Sequence, residues 1–148
     1  RFLSLRRVVP SFEAARGLIV QLRSLAQPIL PKGLPRRLLA VAHSPYFEAD
    51  ELDVEFGYAF DEEFHCTLPS ATPLQLREIE AVERMAVCVR VGLPEQSHLV
   101  TAKIGRYLEA AGDTLAGPSR EVFLQPPDLE KMHEAVVEMQ FPIRACGG

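Results

Sequence analysis

Hydrophobic and polar positions along this chain switch between a two-residue spacing and a three-to-four-residue spacing, and the switches divide it into elements. Residues 1–9 (RFLSLRRVV) alternate as a strand does, and Pro10-Ser11 punctuates them. Ser11 has the character of a helix N-cap with Glu13 in the first turn. Leu18, Leu22, Leu25 and Ala26 recur at i, i+4, i+7 and i+8, so a helix is expected as far as the stop at Pro28. After a Pro/Gly-rich connection, 36–43 (RRLLAVAH) and 51–60 (ELDVEFGYAF) read as two strands joined by the turn-forming SPYFEAD.

The second half runs through the same order. Residues 74–79 and 84–91 (RMAVCVRV) read as strands, and Gly92 with Pro94 breaks the chain. A helix then carries the stripe Val100, Ile104, Tyr107 and Leu108, which marks Tyr107 as a core residue, and Gly112 stands where a C-terminal cap belongs. Two more strands follow, at 120–125 (REVFLQ) and 135–143 (AVVEMQFPI). Arg1 and Arg84, Pro35 and Pro118, Arg37 and Arg120, and Glu55 and Glu138 are each separated by 83 positions, while the helix stripes are offset by 82. A shared offset over so many landmarks marks a duplicated half-domain, with pseudo-repeats at about 1–60 and 73–143 inside one domain spanning 1–148. The counterpart of the strand near Leu74 falls about ten residues before Arg1 by the same offset. The chain also begins without Met, so a preceding segment is expected.

Composition narrows the class. With 148 residues and 47% hydrophobic content the chain can build one core without staples, and a net charge of -4 gives no basic footprint for nucleic acid. Cys66, Cys88 and Cys146 are too widely spaced for a disulfide framework or a close zinc pair, which fits a reducing, cytoplasmic setting. No apolar run approaches the roughly 20 residues of a membrane helix. His43, His65, His98 and His133 are scattered over different elements, so neither a metal nor a cofactor is expected. Cys88 reads as a buried small hydrophobe, and DEEF (61–64) as a solvated acidic linker.

The segments RRVVPSFEAA, LDVEFGYAF, REVFLQPPD and VVEMQFPI, in this order and spacing, resemble the gyrase-inhibitor-like (GyrI-like) small-molecule-binding domain over nearly the whole chain. The resemblance implies an α+β fold: duplicated strand-helix-strand-strand halves, an antiparallel sheet with the helices on one face, and a ligand groove where the halves meet. It is similar in kind to the effector-binding domains of MerR-type and AraC-type transcription regulators. There a separate N-terminal helix-turn-helix contacts DNA. DNA would then be a partner only through an upstream domain, and a homodimer is compatible with that setting.

Strand parity supplies an independent reading of the candidate site. Val137, Met139 and Phe141 form an apolar face expected against the helices. Glu121, Phe123, Glu138 and Gln140, with Glu55 from the first half, are expected together on the opposite face, towards the groove. Phe56 and Tyr58 read as core. A carboxylate beside aromatic surface suits a lipophilic cation, which relieves the cost of an unpaired buried charge and stacks on rings. The resemblance adds that a glutamate in the REVFL position lines the pocket of drug-responsive members; here it is Glu121, whose counterpart in the first half is Leu38. No residue is assigned a catalytic role. Two rival readings stay open: a GyrI-like hydrolase using Glu121, weakened because Leu93 stands after Gly92 where the family often has an aromatic, and a stand-alone gyrase-inhibitor-like interaction protein.

Overall fold

The computed structural model describes residues 1–43, 51–60, 67–79, 82–92, 97–125, 130–131 and 134–145. The SPYFEAD turn, DEEF, the His65-Cys66 pair, Leu93-Pro94, His133 and Cys146 lie outside them. The element order is β1 (Phe2–Val9), α1 (Phe12–Ala26), β2 (Arg37–Ala42), β3 (Leu52–Ala59), β4 (Gln75–Arg77), β5 (Met85–Val91), α2 (Ser97–Ala111), β6 (Asp113–Leu115), β7 (Ser119–Phe123) and β8 (Val136–Ala145).

The strands pair antiparallel in the order β4-β1-β3-β2-β7-β8-β5, with β6 on β8. Two strand-helix-strand-strand halves thus meet through β2 and β7, as duplication requires. Leu39 pairs with Val122, 83 positions away. The pseudo-two-fold axis therefore passes through this pair. Both helices cover one face of the sheet. Leu18, Ile19 and Leu22 of α1 pack with Leu3, Leu5 and Phe56, while Ile104 and Leu108 of α2 pack with Ala86, Met139 and Phe141. Leu38, Ala40, Phe123 and Val137 join the first cluster across the seam. Phe2, Leu39, Val41 and Val122 form a third cluster on the helix-free face.

Local signals account for the helix ends. The Ser11 hydroxyl accepts from the Ala14 amide at 3.1 Å, and α1 stops before Pro28. Gly112 closes α2 with φ +75°, a backbone state that costs glycine little. Gly57 has a different reason. A Cβ there would stand 2.5 Å from the Phe2 ring and 2.6 Å from the Leu3 carbonyl oxygen, so β1 can close over β3 only where no side chain intervenes.

Three expectations need correction. Tyr107 is 63% exposed, while Ile104 and Leu108 of the same stripe are buried against the sheet. The strand expected over 74–79 shortens to three residues and pairs with β1, so the segment read as opening the second half covers the outer edge of the first. Strand β7 ends at Phe123; the Leu124 amide still donates to the Val136 carbonyl at 3.1 Å, but its side chain is 45% exposed. Strand β6 was missed because three residues after a glycine carry no resolvable alternation.

Candidate functional site

Register between strands divides the residues that parity alone had grouped. In an antiparallel pair, facing residues project to the same side of the sheet, and Glu121 faces Met139 while Phe123 faces Val137. Glu121 and Phe123 therefore lie on the helix-bearing face. Glu138 faces Val122, Gln140 faces Arg120 and Val87, and Glu55 faces Arg6 and Val41, so these three occupy the helix-free face. The single polar face expected from the sequence is in fact two sites on opposite sides. Parity within one strand holds; which side of a neighbour it matches is set by register.

On the helix-bearing face, Glu121 sits on β7 at the seam of the halves and is 5% exposed. Its partner is Arg90 of β5, whose Nη1 donates to Oε1 at 2.8 Å with the arginine side chain only 2% exposed. Arg90 stands in register with Val137 and reaches across β8 between the fully buried Val137 and Met139. Two charges held this deep are sustained by each other, since either alone would bear the full desolvation cost. Arg90 escaped notice in the sequence, although a signal was there: it shares the parity of Ala86 and Cys88, a charge on a face meant for apolar residues. Cys88 itself is half-buried and packs on the α2 cluster.

Two residues further along β7, Phe123 borders a groove of about 760 Å³ whose lining includes neither Glu121 nor Arg90. Leu38, Tyr58 and Phe123 line it, with Arg23 from the last turn of α1 and Arg36 and Arg37 at the start of β2. The Arg36 guanidinium lies 5.2 Å from the centre of the Tyr58 ring. Tyr58 thus belongs to the groove wall as well as to the edge of the core, whereas Phe56 is core as expected.

On the other face, Glu55 is 2% exposed and receives four hydrogen bonds. Ser4 Oγ donates to Oε2 at 2.5 Å, Arg77 Nε to Oε2 at 3.0 Å and Arg77 Nη2 to Oε1 at 2.6 Å, while His43 Nε2 lies 3.0 Å from Oε1. Burial pushes the carboxyl pKa up, but the hydrogen bonds from Arg77, Ser4 and His43 outweigh it and bring the group down to about 2. Next to it Arg6 grips Asp53 through a fork of 3.0 and 2.8 Å, which lowers the Asp53 pKa and raises that of Arg6. Glu138 holds only the Gln140 amide among the contacts described, at 2.9 Å. The arginine that binds Glu55 thus comes from β4, 22 positions further along the chain. No group of three or more metal-ligating side chains occurs among the described residues, nor a helix long and apolar enough to cross a membrane.

No family model and no curated protein matches the chain. Solved structures do. The cryo-EM structure of an EcmrR–DNA complex in EcmrR-RPo superposes with a TM-score of 0.78 at 19% identity, over 97% of this chain and 53% of that one. The crystal structure of the EcmrR C-terminal domain superposes with a TM-score of 0.74 at 20% identity, over 97% and 90% respectively. The chain therefore spans about half the length of the EcmrR chain bound to DNA and nearly all of its C-terminal domain. With two duplicated halves, both helices on one face and a seam through β2 and β7, this protein has the GyrI-like fold of the EcmrR C-terminal domain.

Proposed function

We propose that this chain is the ligand-sensing effector-binding domain of a transcription regulator, and that its ligand is a lipophilic cation bound at the seam on the helix-bearing face. The carrying observation is the buried Arg90–Glu121 pair on the same face as a groove lined by Tyr58 and by Phe123, two residues along β7 from Glu121. Arg90 stands in for the ligand's positive charge. A cation that reaches Glu121 takes over the carboxylate, and Arg90 turns outward as its counterpart Arg7 does on β1, where the side chain is exposed. Phe123, Leu38 and Tyr58 supply the apolar and aromatic surface for the rest of the molecule. The DNA contact belongs to another domain of the regulator, consistent with the acidic balance of this one. A preference of the ligand for one arrangement of the halves is what such a domain transmits.

One observation favours a second reading. Arg23 and Arg36 make the groove rim basic, which suits a lipophilic anion. Tetraphenylphosphonium and tetraphenylborate have nearly the same shape and opposite charge, so titrating both separates the readings. The cation reading expects the phosphonium to bind more tightly, to lose about tenfold in affinity (about 1.4 kcal/mol) in Glu121→Gln, and to gain affinity in Arg90→Met, where the resident cation is gone. Preference for the borate, or phosphonium binding unchanged in both variants, overturns it.

A further inference from the structure

We propose that the outer edge of β5 is a docking site for one more strand, and that its occupant is the stretch of polypeptide leading into β1. Duplication places that strand. β4 leads into β5 yet pairs with β1 of the other half, so its equivalent, leading into β1, belongs on β5. Register marks the position. β4 covers Phe2, Leu3 and Ser4 of β1, whose counterparts 83 positions on are Met85, Ala86 and Val87. Under β4, Phe2 is 0% and Ser4 1% exposed, whereas Met85 is half-buried and Val87 is 50% exposed.

The backbone agrees with the side chains. The Gly92 amide donates to the Ala135 carbonyl and the Ile143 amide to the Arg84 carbonyl, which makes the even-numbered residues of β5 those bonded to β8. The N–H and C=O groups of Met85, Val87, Val89 and Val91 therefore point away from β8, and among the described residues no strand lies on that side. An edge with no lysine, proline or bulge along it accepts another strand readily. On the helix-bearing side, Leu76 of β4 faces Leu3 and packs on the α1 core. Ala86 takes the place of Leu3 in the small α2 cluster, so a large apolar residue at the Leu76 position enlarges that core. On the other side Arg77 faces Phe2 and grips Glu55, whereas Glu138, the counterpart of Glu55, holds only the Gln140 amide among the contacts described. A basic residue opposite Met85 complements it. On the effector-domain reading, which the docking itself does not require, the added strand ties β5 and its Arg90 to the rest of the regulator.

The probe is a second copy of residues 72–83 (TPLQLREIEAVE) placed directly ahead of Arg1, which restores the spacing of 83 and keeps the same link from the copied strand to β1 as from β4 to β5. Amide hydrogen exchange of this lengthened chain is compared with that of the 148-residue chain. The expected result is exchange at Met85 and Val87 slowed by about tenfold or more, independent of protein concentration, and restored when aspartate replaces the leucine copied from Leu76. In the lengthened chain Val87→Pro, which removes an N–H that β8 does not use, should return Met85 to the faster rate while Cys88 stays protected by β8 and shows that β5 is folded. Unchanged exchange at Met85 and Val87 overturns the proposal. So does protection of both in the 148-residue chain that grows with concentration, because the occupant is then a second copy.

Discussion

Residues 83 positions apart occupy equivalent places in the two halves, and what differs between them falls on a few positions. In the first half Leu38 is buried in the α1 core while Arg7 on β1 is exposed; in the second, Glu121 and Arg90 take the same places and are buried together. Gly57, under the Phe2 ring, corresponds to Gln140, and Phe2 corresponds to the half-buried Met85. Glu55, with four hydrogen bonds, corresponds to Glu138, which binds its neighbour Gln140. The first half has an apolar core under its helix and a polar cluster organised on the outer face. The second places its charge under the helix. One strand-helix-strand-strand plan supports both, because the sheet tolerates a charge wherever a partner of opposite sign comes with it.

The comparison breaks most sharply at Arg90. Arg90→Met leaves Glu121 buried without that partner and is expected to cost about 3–5 kcal/mol in urea unfolding, while Arg7→Met stays within about 0.5 kcal/mol. Adding Glu121→Leu to Arg90→Met copies the first half's Leu38, and most of the lost stability should return; a double variant as unstable as the single one would show that the pair is not a closed unit.

Acid separates the two glutamates next. The Glu55 carboxyl, held at about 2 when folded, contributes stability that is complete above its unfolded value near 4.5 and is lost as pH falls from there through 2. Full protonation removes about 3 kcal/mol. Melting temperature followed from pH 5 to 2 should fall steeply in the wild type and in Glu138→Gln, but less steeply in Glu55→Gln, which has already lost the contribution.

Smaller effects test the packing difference. Gly57→Ala drives a methyl into the Phe2 ring and the Leu3 carbonyl and should cost about 1–3 kcal/mol, whereas Gln140→Ala at the matching place should cost under about 0.5 kcal/mol. Ser11→Ala removes the only cap contact described at the α1 N-terminus and should cost about 1 kcal/mol, read as a lower urea midpoint.

Much of the architecture was legible because it is written in local terms. The Ser11 cap, the Pro28 stop, Gly112 and the alternation of 36–43, 51–60, 84–91 and 135–143 each act over a few residues, and the offset of 83 tied them into halves. Of the five candidate site residues, Glu121 and Phe123 lie on the helix-bearing face and Glu55, Glu138 and Gln140 on the other, two faces instead of the one expected. Arg77 and Ser4 left no local trace of their roles: Ser4 is 51 positions from Glu55 and Arg77 is 22 away, and only strand pairing joins them.

The sequence alone determined the period of each element, the caps that end the helices and the duplication, since these depend on side-chain spacing and backbone preferences within a short stretch. Tertiary structure decided the register. Whether Glu121 faces Met139 or a polar neighbour turns on a shift of one residue between strands distant in the chain, and every side chain on the strand changes faces with it. The same choice brought β4 to the first half, carried Arg77 to Glu55, and set Arg90 against Glu121.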